Sequence, residues 1–303
     1  MTLRQKHRLI IASSLLTAGT FVGVGQSGYE VLRREVARSS EKQVNVKLEA
    51  SFGNVTLTKG QKDKIVIVEY RKSAKEKQRL RVSYDISGDQ GDLDLEIKES
   101  RKFDYDDEAS SWREHRTEGS HLEDREWNLK FSDAIPMSYD IELGAGKGDL
   151  DFTGLKVKQL KFSSGASSVE LRVDEPNPVA CDVVTLESGV SKFTAEGLSN
   201  LNFRKLKFSG GVGAYKLDFG GKLQQSASVD IEVGLGAVTV YVPREIPTRL
   251  ISDESWFSTL DVDEYFERTR KKSVYETVNF GSSEKKLTIR IESGLGSVRV
   301  RSR

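Results

Sequence analysis

The stretch VDIEVGLGAVTVYVP, residues 229–243, decides the fold. Two apolar pairs, Val229/Ile231 and Val238/Val240, flank a short loop with glycines at 234 and 236. Near the C-terminus IRIESGLGSVRV, residues 289–300, repeats the layout with Ile289/Ile291, Gly294/Gly296 and Val298/Val300. Each flank alternates apolar and polar residues, the period-two pattern of a half-buried strand. In LTIRIES, Leu287, Ile289 and Ile291 face one way and Thr288, Arg290 and Glu292 the other.

The phrase recurs along the chain. Taking the second apolar residue of each unit as its anchor gives Leu48, Ile86, Leu143, Phe162, Leu186, Phe208, Ile231 and Ile291. Seven positions after each stands another apolar or aromatic residue: Val55, Leu93, Leu150, Val169, Phe193, Tyr215, Val238 and Val298. Gly, Ser or Asp occupies the third position after the anchor, and Gly or Ser the fifth. From Leu143 to Ile231 the anchors lie 19, 24, 22 and 23 residues apart, a period of about 22 that belongs to solenoids and arrays. A second signal recurs between them, TGLKV at 153–157, EGLSNL at 196–201 and FGGKL at 219–223, each offering an inward leucine (Leu155, Leu198, Leu223). No sustained helical period separates the strands, which argues against a βαβ fold. The expected fold is therefore all-β: a single-stranded, right-handed β-solenoid of Gly-punctuated repeats of about 22 residues. Its glycines mark a tight corner. A phosphate-binding Gly-x-Gly normally opens a helix, whereas these lead into strands. GGVGAY at 210–215 lacks the aspartate of a calcium-binding roll.

Bulk composition narrows the function classes. The 303 residues carry a net charge of +1, so nothing marks a nucleic-acid binder. One cysteine, Cys181, excludes an intrachain disulfide framework. His7, His115 and His121 are too scattered for a metal site. No metal, no cofactor and no catalytic residues are expected.

The N-terminus reads as a targeting segment. Arg4, Lys6 and Arg8 form a basic region, and Leu9–Gly25 runs without a charge, the layout of a signal peptide. Gly23 and Gly25 are small residues at cleavage-site spacing before Gln26. The rival is a single uncleaved membrane anchor through residues 9–25, short against the ~20 residues a spanning helix needs. Both place the remainder outside the cytoplasm. The expected organisation is 1–25 signal or anchor, 26–43 linker, 44–135 N-terminal β region, and 136–303 solenoid.

Two stretches break the rhythm. Residues 99–130 are dense in both charge signs and carry Tyr105, Trp112 and Trp127. Insertions in repeat proteins map to surface loops, often on a binding face. The tryptophans would stack on a glycan or partner, or tuck the insertion onto the coil, the latter being favoured. Residues 244–285 hold Phe257, Leu260, Val262 and Phe266, suited to closing the core. They also hold a basic run whose Arg268, Arg270, Lys271 and Lys272 would touch anionic lipid or wall polymer, or serve as a solubilising loop, the latter being favoured. Candidate partner-binding residues are thus Tyr105, Trp112, Trp127, Arg268, Arg270, Lys271 and Lys272.

SYDIELGAGKGDLDFTGLKVKQLKFSSGASSVELRV, residues 138–173, resembles the repeat core of bacterial toast-rack proteins. VDIEVGLGAVTVYVPREIPTRL followed by KLTIRIESGLGSVRV resembles the C-terminal domain of LiaF-type cell-wall-active-antibiotic response proteins, related to adhesin-type β-helix families. The resemblance covers 136–301 closely and 44–98 loosely. It implies an extracytoplasmic β-rich domain with no enzymatic residues to carry over. LiaF-type regulators have several membrane helices, where this chain has one at most.

The leading expectation is a non-catalytic exported solenoid of the bacterial envelope, an interaction or adhesion module whose partner is an envelope protein or glycan. The alternative is a LiaF-like envelope-stress regulator binding a membrane partner. A polysaccharide-active enzyme would need carboxylates or basic groups gathered on one coil face. Outward residues taken rung by rung look unpatterned: Lys161 and Glu170, Glu187 and Thr194, Lys207 and Lys216, Asp230 and Thr239. Oligomeric state is not readable from the sequence.

Overall fold

The computed structural model describes residues 21–24, 28–76, 78–99, 125–252, 258–282 and 284–303. Strand alternation builds a stack of parallel rungs. Among the described residues seven rungs are unbroken: β3 (Gln43–Lys59), β8 (Met137–Asp151), β9 (Val157–Arg172), β10 (Cys181–Glu196), β11 (Phe203–Asp218), β12 (Ala227–Val242) and β17 (Leu287–Ser302). Each pairs in parallel with the next in that order.

The register aligns the apolar positions into ladders. Leu48, Ile141, Phe162, Leu186, Phe208, Ile231 and Ile291 are successive partners, all at most 1% exposed. Beyond the glycine corner Leu57, Leu150, Leu171, Ala195, Leu217, Val240 and Val300 do the same. A fully buried Leu or Ile contributes roughly 1.5–3 kcal/mol, so the ladders hold the stack together. Phe162, Phe193 and Phe208 add an aromatic column with centroids 6.0 and 5.5 Å apart. Val229, Ile231 and Val240 point inward as expected, while Asp230 and Thr239 lie half-exposed on the outer face. Leu155 and Leu198 are buried and Leu223 packs partly against the core.

Both ends of the stack carry a rung split in two. At the start β6 (Gln90–Glu99) and β7 (Glu126–Phe131) pair in parallel with the two halves of β3. At the far end β13 (Thr248–Ser252) and β14 (Ser258–Val262) pair in parallel with the two halves of β17. The last strand of the chain is therefore covered on both edges. Residues 244–285, expected to interrupt the repeat, thus contain a further rung: Leu250 pairs with Ile289, Leu260 with Val298 and Val262 with Val300. β15 (Phe266–Arg268) and β16 (Val274–Thr277) form an antiparallel hairpin that seals β13, with Phe266 6% exposed. Phe257 lies outside the described residues.

The N-terminal cap is antiparallel. β5 (Gln78–Ser87) pairs with β6, β4 (Lys64–Ser73) with β7, β2 (Tyr29–Ala37) with β4, and β1 (Phe21–Val24) with β2. Three expectations are corrected here. Residues 26–43 are not a plain linker, because 29–37 form β2. The unit at Ile86 is not a corner but a hairpin: Ser87 faces Gln90 across a turn at Gly88, whose φ is +62°. The anchor Leu143 is misplaced by two residues, since Phe162 pairs with Ile141 and Leu143 with Ser164. A two-residue slip keeps every side chain on its face, so inwardness survives although the spacing changes.

Candidate functional site: the glycine corner

The corner is where the alternation changes parity. In β3, Ala50 is the last inward residue of one flank, Ser51 and Phe52 turn outward, and Gly53 and Val55 re-enter. Phe52, Ala145, Ala166, Val190, Val212, Leu235 and Leu295 are consecutive register partners. They form an apolar ridge of seven rungs, about 29 Å long at ~4.8 Å per rung. Val190 is 63% exposed, Leu295 49%, Leu235 47%, Val212 45% and Phe52 42%.

Beside the ridge runs a stripe of glycines that stacking requires. A Cβ on Gly165 would lie 2.3 Å from the Gly144 carbonyl oxygen, and one on Gly211 2.6 Å from that of Gly189. The glycines thus floor a trough of about 800 Å³, open to solvent, across β3, β8, β9, β10 and β11. Under its middle rungs the interior is polar. Ser164 Oγ lies 3.2 Å from Ser188 Oγ, which lies 2.5 Å from Ser191 Oγ, and Ser188 is buried.

The other wall of the trough is acidic. Glu49, Glu142, Ser163, Glu187, Ser209, Glu232 and Glu292 are consecutive register partners. Glu96 extends the row beyond Glu49. Two residues back on the same face the row reads Lys47, Asp140, Lys161, Thr185, Lys207, Asp230 and Arg290. There both signs occur, and a cross-rung pair forms between Lys161 and Asp140 at 3.2 Å. Like charges directly opposite each other destabilise a sheet, so the glutamate row departs from the solvated-face pattern beside it. Glu49 pairs with Lys47 at 2.5 Å, and that hydrogen bond raises the lysine's pKa. Glu142, Glu187 and Glu232 are exposed and have no ion-pair partner among the described residues.

The residues expected to bind a partner lie elsewhere. Tyr105 and Trp112 fall outside the described residues. Trp127 is in the core, 1% exposed, in register with Val55 and 4.8 Å from the Tyr70 ring centroid. It fills an inward ladder position of the first rung, which removes it from the set of partner-binding candidates and fits the tucked alternative. Arg268, Arg270, Lys271 and Lys272 sit at the β15–β16 hairpin, Arg268 within β15 and the others in its turn. The structure does not bring them to the corner. Cys181 is buried, and burial pushes its thiol up to about 12, out of the range of a reactive thiolate. Sequence reasoning missed the ridge and the row. Their signal is the apolar residue between the two small residues of each corner and the glutamate that follows five of the seven ladder residues, Leu48, Ile141, Leu186, Ile231 and Ile291.

The family profile described as the N-terminal domain of toast_rack matches residues 26–196, more than half of the chain. The chain belongs to the toast-rack family. A second profile, "Cell wall-active antibiotics response LiaF, C-terminal", matches residues 194–300 of this toast-rack chain. The two matches meet inside β10, within one continuous stack. Among solved structures, the chain is similar to a "putative cell adhesion protein" from Clostridium sporogenes at 17% identity and TM-score 0.45, covering 91% of this chain and 100% of that one. It is also similar to a "putative adhesin" from Bacteroides fragilis at 11% identity and TM-score 0.35, covering 89% and 97%. No curated protein matches the chain in sequence.

Proposed function

We propose that this toast-rack chain is a non-catalytic exported scaffold of the bacterial envelope that recognises a partner along its glycine corner. The ridge carries this reading. Soluble chains rarely expose a contiguous apolar patch without an interaction to serve, and here seven rungs place one in line. Rungs locked by parallel pairing hold it rigid, which lowers the ordering cost of binding. The carboxylates beside it line an open trough, whereas acid/base catalysis needs a site that drives two pKa values apart. The basic and apolar segments before residue 26 support export. Among the described residues no helix is long and apolar enough to cross a membrane.

The test is a photo-reactive amino acid at Val212, on the ridge, and another at Thr239, on the coil face. With the full chain expressed in its own cells, cross-links from Val212 and not from Thr239 are expected. Equal yields at both positions refute recognition at the corner. A C-terminal phosphatase fusion active only outside the cytoplasm tests export.

The LiaF match over 194–300 favours a second reading, a contribution to the response to cell wall-active antibiotics through a membrane partner. A deletion strain would then show altered induction of its envelope-stress genes under such an antibiotic. Unaltered induction removes this reading and leaves the scaffold.

A further inference from the structure

The ridge, the trough and the glutamate row have one chemistry in common, and we infer that they form a docking site for a cationic amphipathic helix of a partner. This inference rests on the corner being the recognition edge. The inner ridge residues, Ala145, Ala166, Val190, Val212 and Leu235, are already in parallel pairing with the rungs on either side. An added strand therefore has no ladder to join, and recognition falls to side chains. The ridge offers one apolar residue per rung, about every 4.8 Å. A helix offers one apolar residue per turn, about every 5.4 Å, so the two patterns stay in step over several rungs. Some 29 Å of ridge matches roughly 19 helical residues at 1.5 Å each.

Charge selects the occupant. Glu49, Glu142, Glu187, Glu232 and Glu292 flank the apolar line on the trough side. Two of them, Glu187 and Glu232, have no cation of their own among the described residues, and Glu142 has only the longer-range attraction of Lys47. A helix with lysine or arginine beside its apolar face supplies their missing counter-charge while its leucines cover Val190, Val212, Leu235 and Leu295. An anionic bilayer would be repelled by the same row. A second copy of the chain would meet a ridge one residue wide, far short of the ~800 Å² per partner of a stable interface.

The test uses the full chain and synthetic 18-residue amphipathic helices, one of leucine and lysine, the other of leucine and glutamate. The leucine–lysine helix is expected to bind, more weakly as ionic strength rises, and the leucine–glutamate helix not to bind. The triple substitution Glu142→Gln, Glu187→Gln, Glu232→Gln should weaken binding about tenfold or more. Val212→Ser with Leu235→Ser should do the same through lost apolar contact. All five side chains point outward, and an unchanged melting temperature certifies each variant. A third substitution set, Lys207→Gln with Arg290→Gln on the mixed-sign row, should not weaken binding. Equal binding of both helices, full binding by either variant at the site, or ridge-dependent binding of phosphatidylglycerol vesicles that ignores the glutamates overturns the inference. Failure of the leucine–lysine helix alongside persisting cross-links from Val212 overturns the helix and spares the scaffold. Loss of both removes the two together.

Discussion

Three glycine-to-alanine substitutions separate the reasons for the repeated phrase. Gly88 sits in the β5–β6 turn at φ +62°, and a Cβ there would meet nothing within 4 Å. Gly88→Ala therefore carries a backbone penalty alone, on the order of 1 kcal/mol for a single left-handed residue. Gly165 has no positive φ in the glycine range, but its Cβ would meet the Gly144 carbonyl oxygen at 2.3 Å. A backbone atom locked in a ladder cannot step aside, so the rungs must part locally, at about 1–3 kcal/mol. Gly236 combines φ +142° with a Cβ position 1.9 Å from the Gly213 carbonyl oxygen. Its backbone penalty of about 1–3 kcal/mol joins the packing penalty, for a loss of about 2–6 kcal/mol. Urea unfolding followed by far-ultraviolet circular dichroism, with the slope checked in each variant, reads the three losses. The expected order is Gly88→Ala, then Gly165→Ala, then Gly236→Ala. Gly165→Ala no more costly than Gly88→Ala would refute stacking as the reason for the glycine stripe.

Trp127→Ala should cost about 3–5 kcal/mol, the range for emptying an aromatic core site; a loss under about 1 kcal/mol in the same unfolding assay contradicts its burial. Ile231→Asp should cost several kcal/mol by placing an unpaired carboxylate in the ladder, and wild-type melting of this variant would refute the register. Asp263 accepts hydrogen bonds from the Tyr265 backbone N–H at 2.9 Å and the Ser302 hydroxyl at 2.7 Å, which hold its pKa below the ordinary 3.8, the Tyr265 bond contributing most. A depressed carboxylate stabilises above its unfolded pKa of about 3.9 and loses that stabilisation as pH falls through the lower folded value. The melting-temperature gap between wild type and Asp263→Asn should therefore be full at pH 7 and close below about pH 4; a gap independent of pH refutes the assignment. Cys181 should resist a thiol reagent at about pH 8 in the native chain and react at the free-thiol rate in urea.

The core was legible because period two is the property a strand advertises most plainly. Leu48, Phe162, Leu186, Phe208, Ile231 and Ile291 stand on one ladder in the structure as they do in the repeat. The ends were less legible, for a physical reason. A rung split at its corner, as β6/β7 and β13/β14 are, no longer carries the glycine phrase that identifies a rung. Trp127 then reads as part of a charged insertion although it stands in register with Val55. A hairpin can also imitate the phrase. Asp89 and Gly91, three and five residues after Ile86, satisfy the same spacing, and only the direction of pairing tells a turn from a corner.

The recognition edge was hidden by register. Lys161, Glu187, Lys207 and Asp230 are each an outward residue beside an anchor, and together they look like an unpatterned solvated face. Lys161, Lys207 and Asp230 precede their anchors, whereas Glu187 follows Leu186. Sorted by that one distinction they fall into two rows with different physics. The row before the anchors mixes its signs, and Asp140 and Lys161 neutralise each other across rungs. The row after them collects Glu49, Glu142, Glu187, Glu232 and Glu292, with Ser163 and Ser209 spacing the middle. Parallel in-register stacking sets Glu96, Glu49 and Glu142, and again Glu232 and Glu292, one rung apart, so like charges accumulate repulsion there that alternation would remove. The neighbouring row shows that this sheet can alternate its charges. That Glu187 and Glu232, in the row bordering the apolar ridge, have no cation among the described residues is the property expected where neutralisation comes from a bound cationic partner.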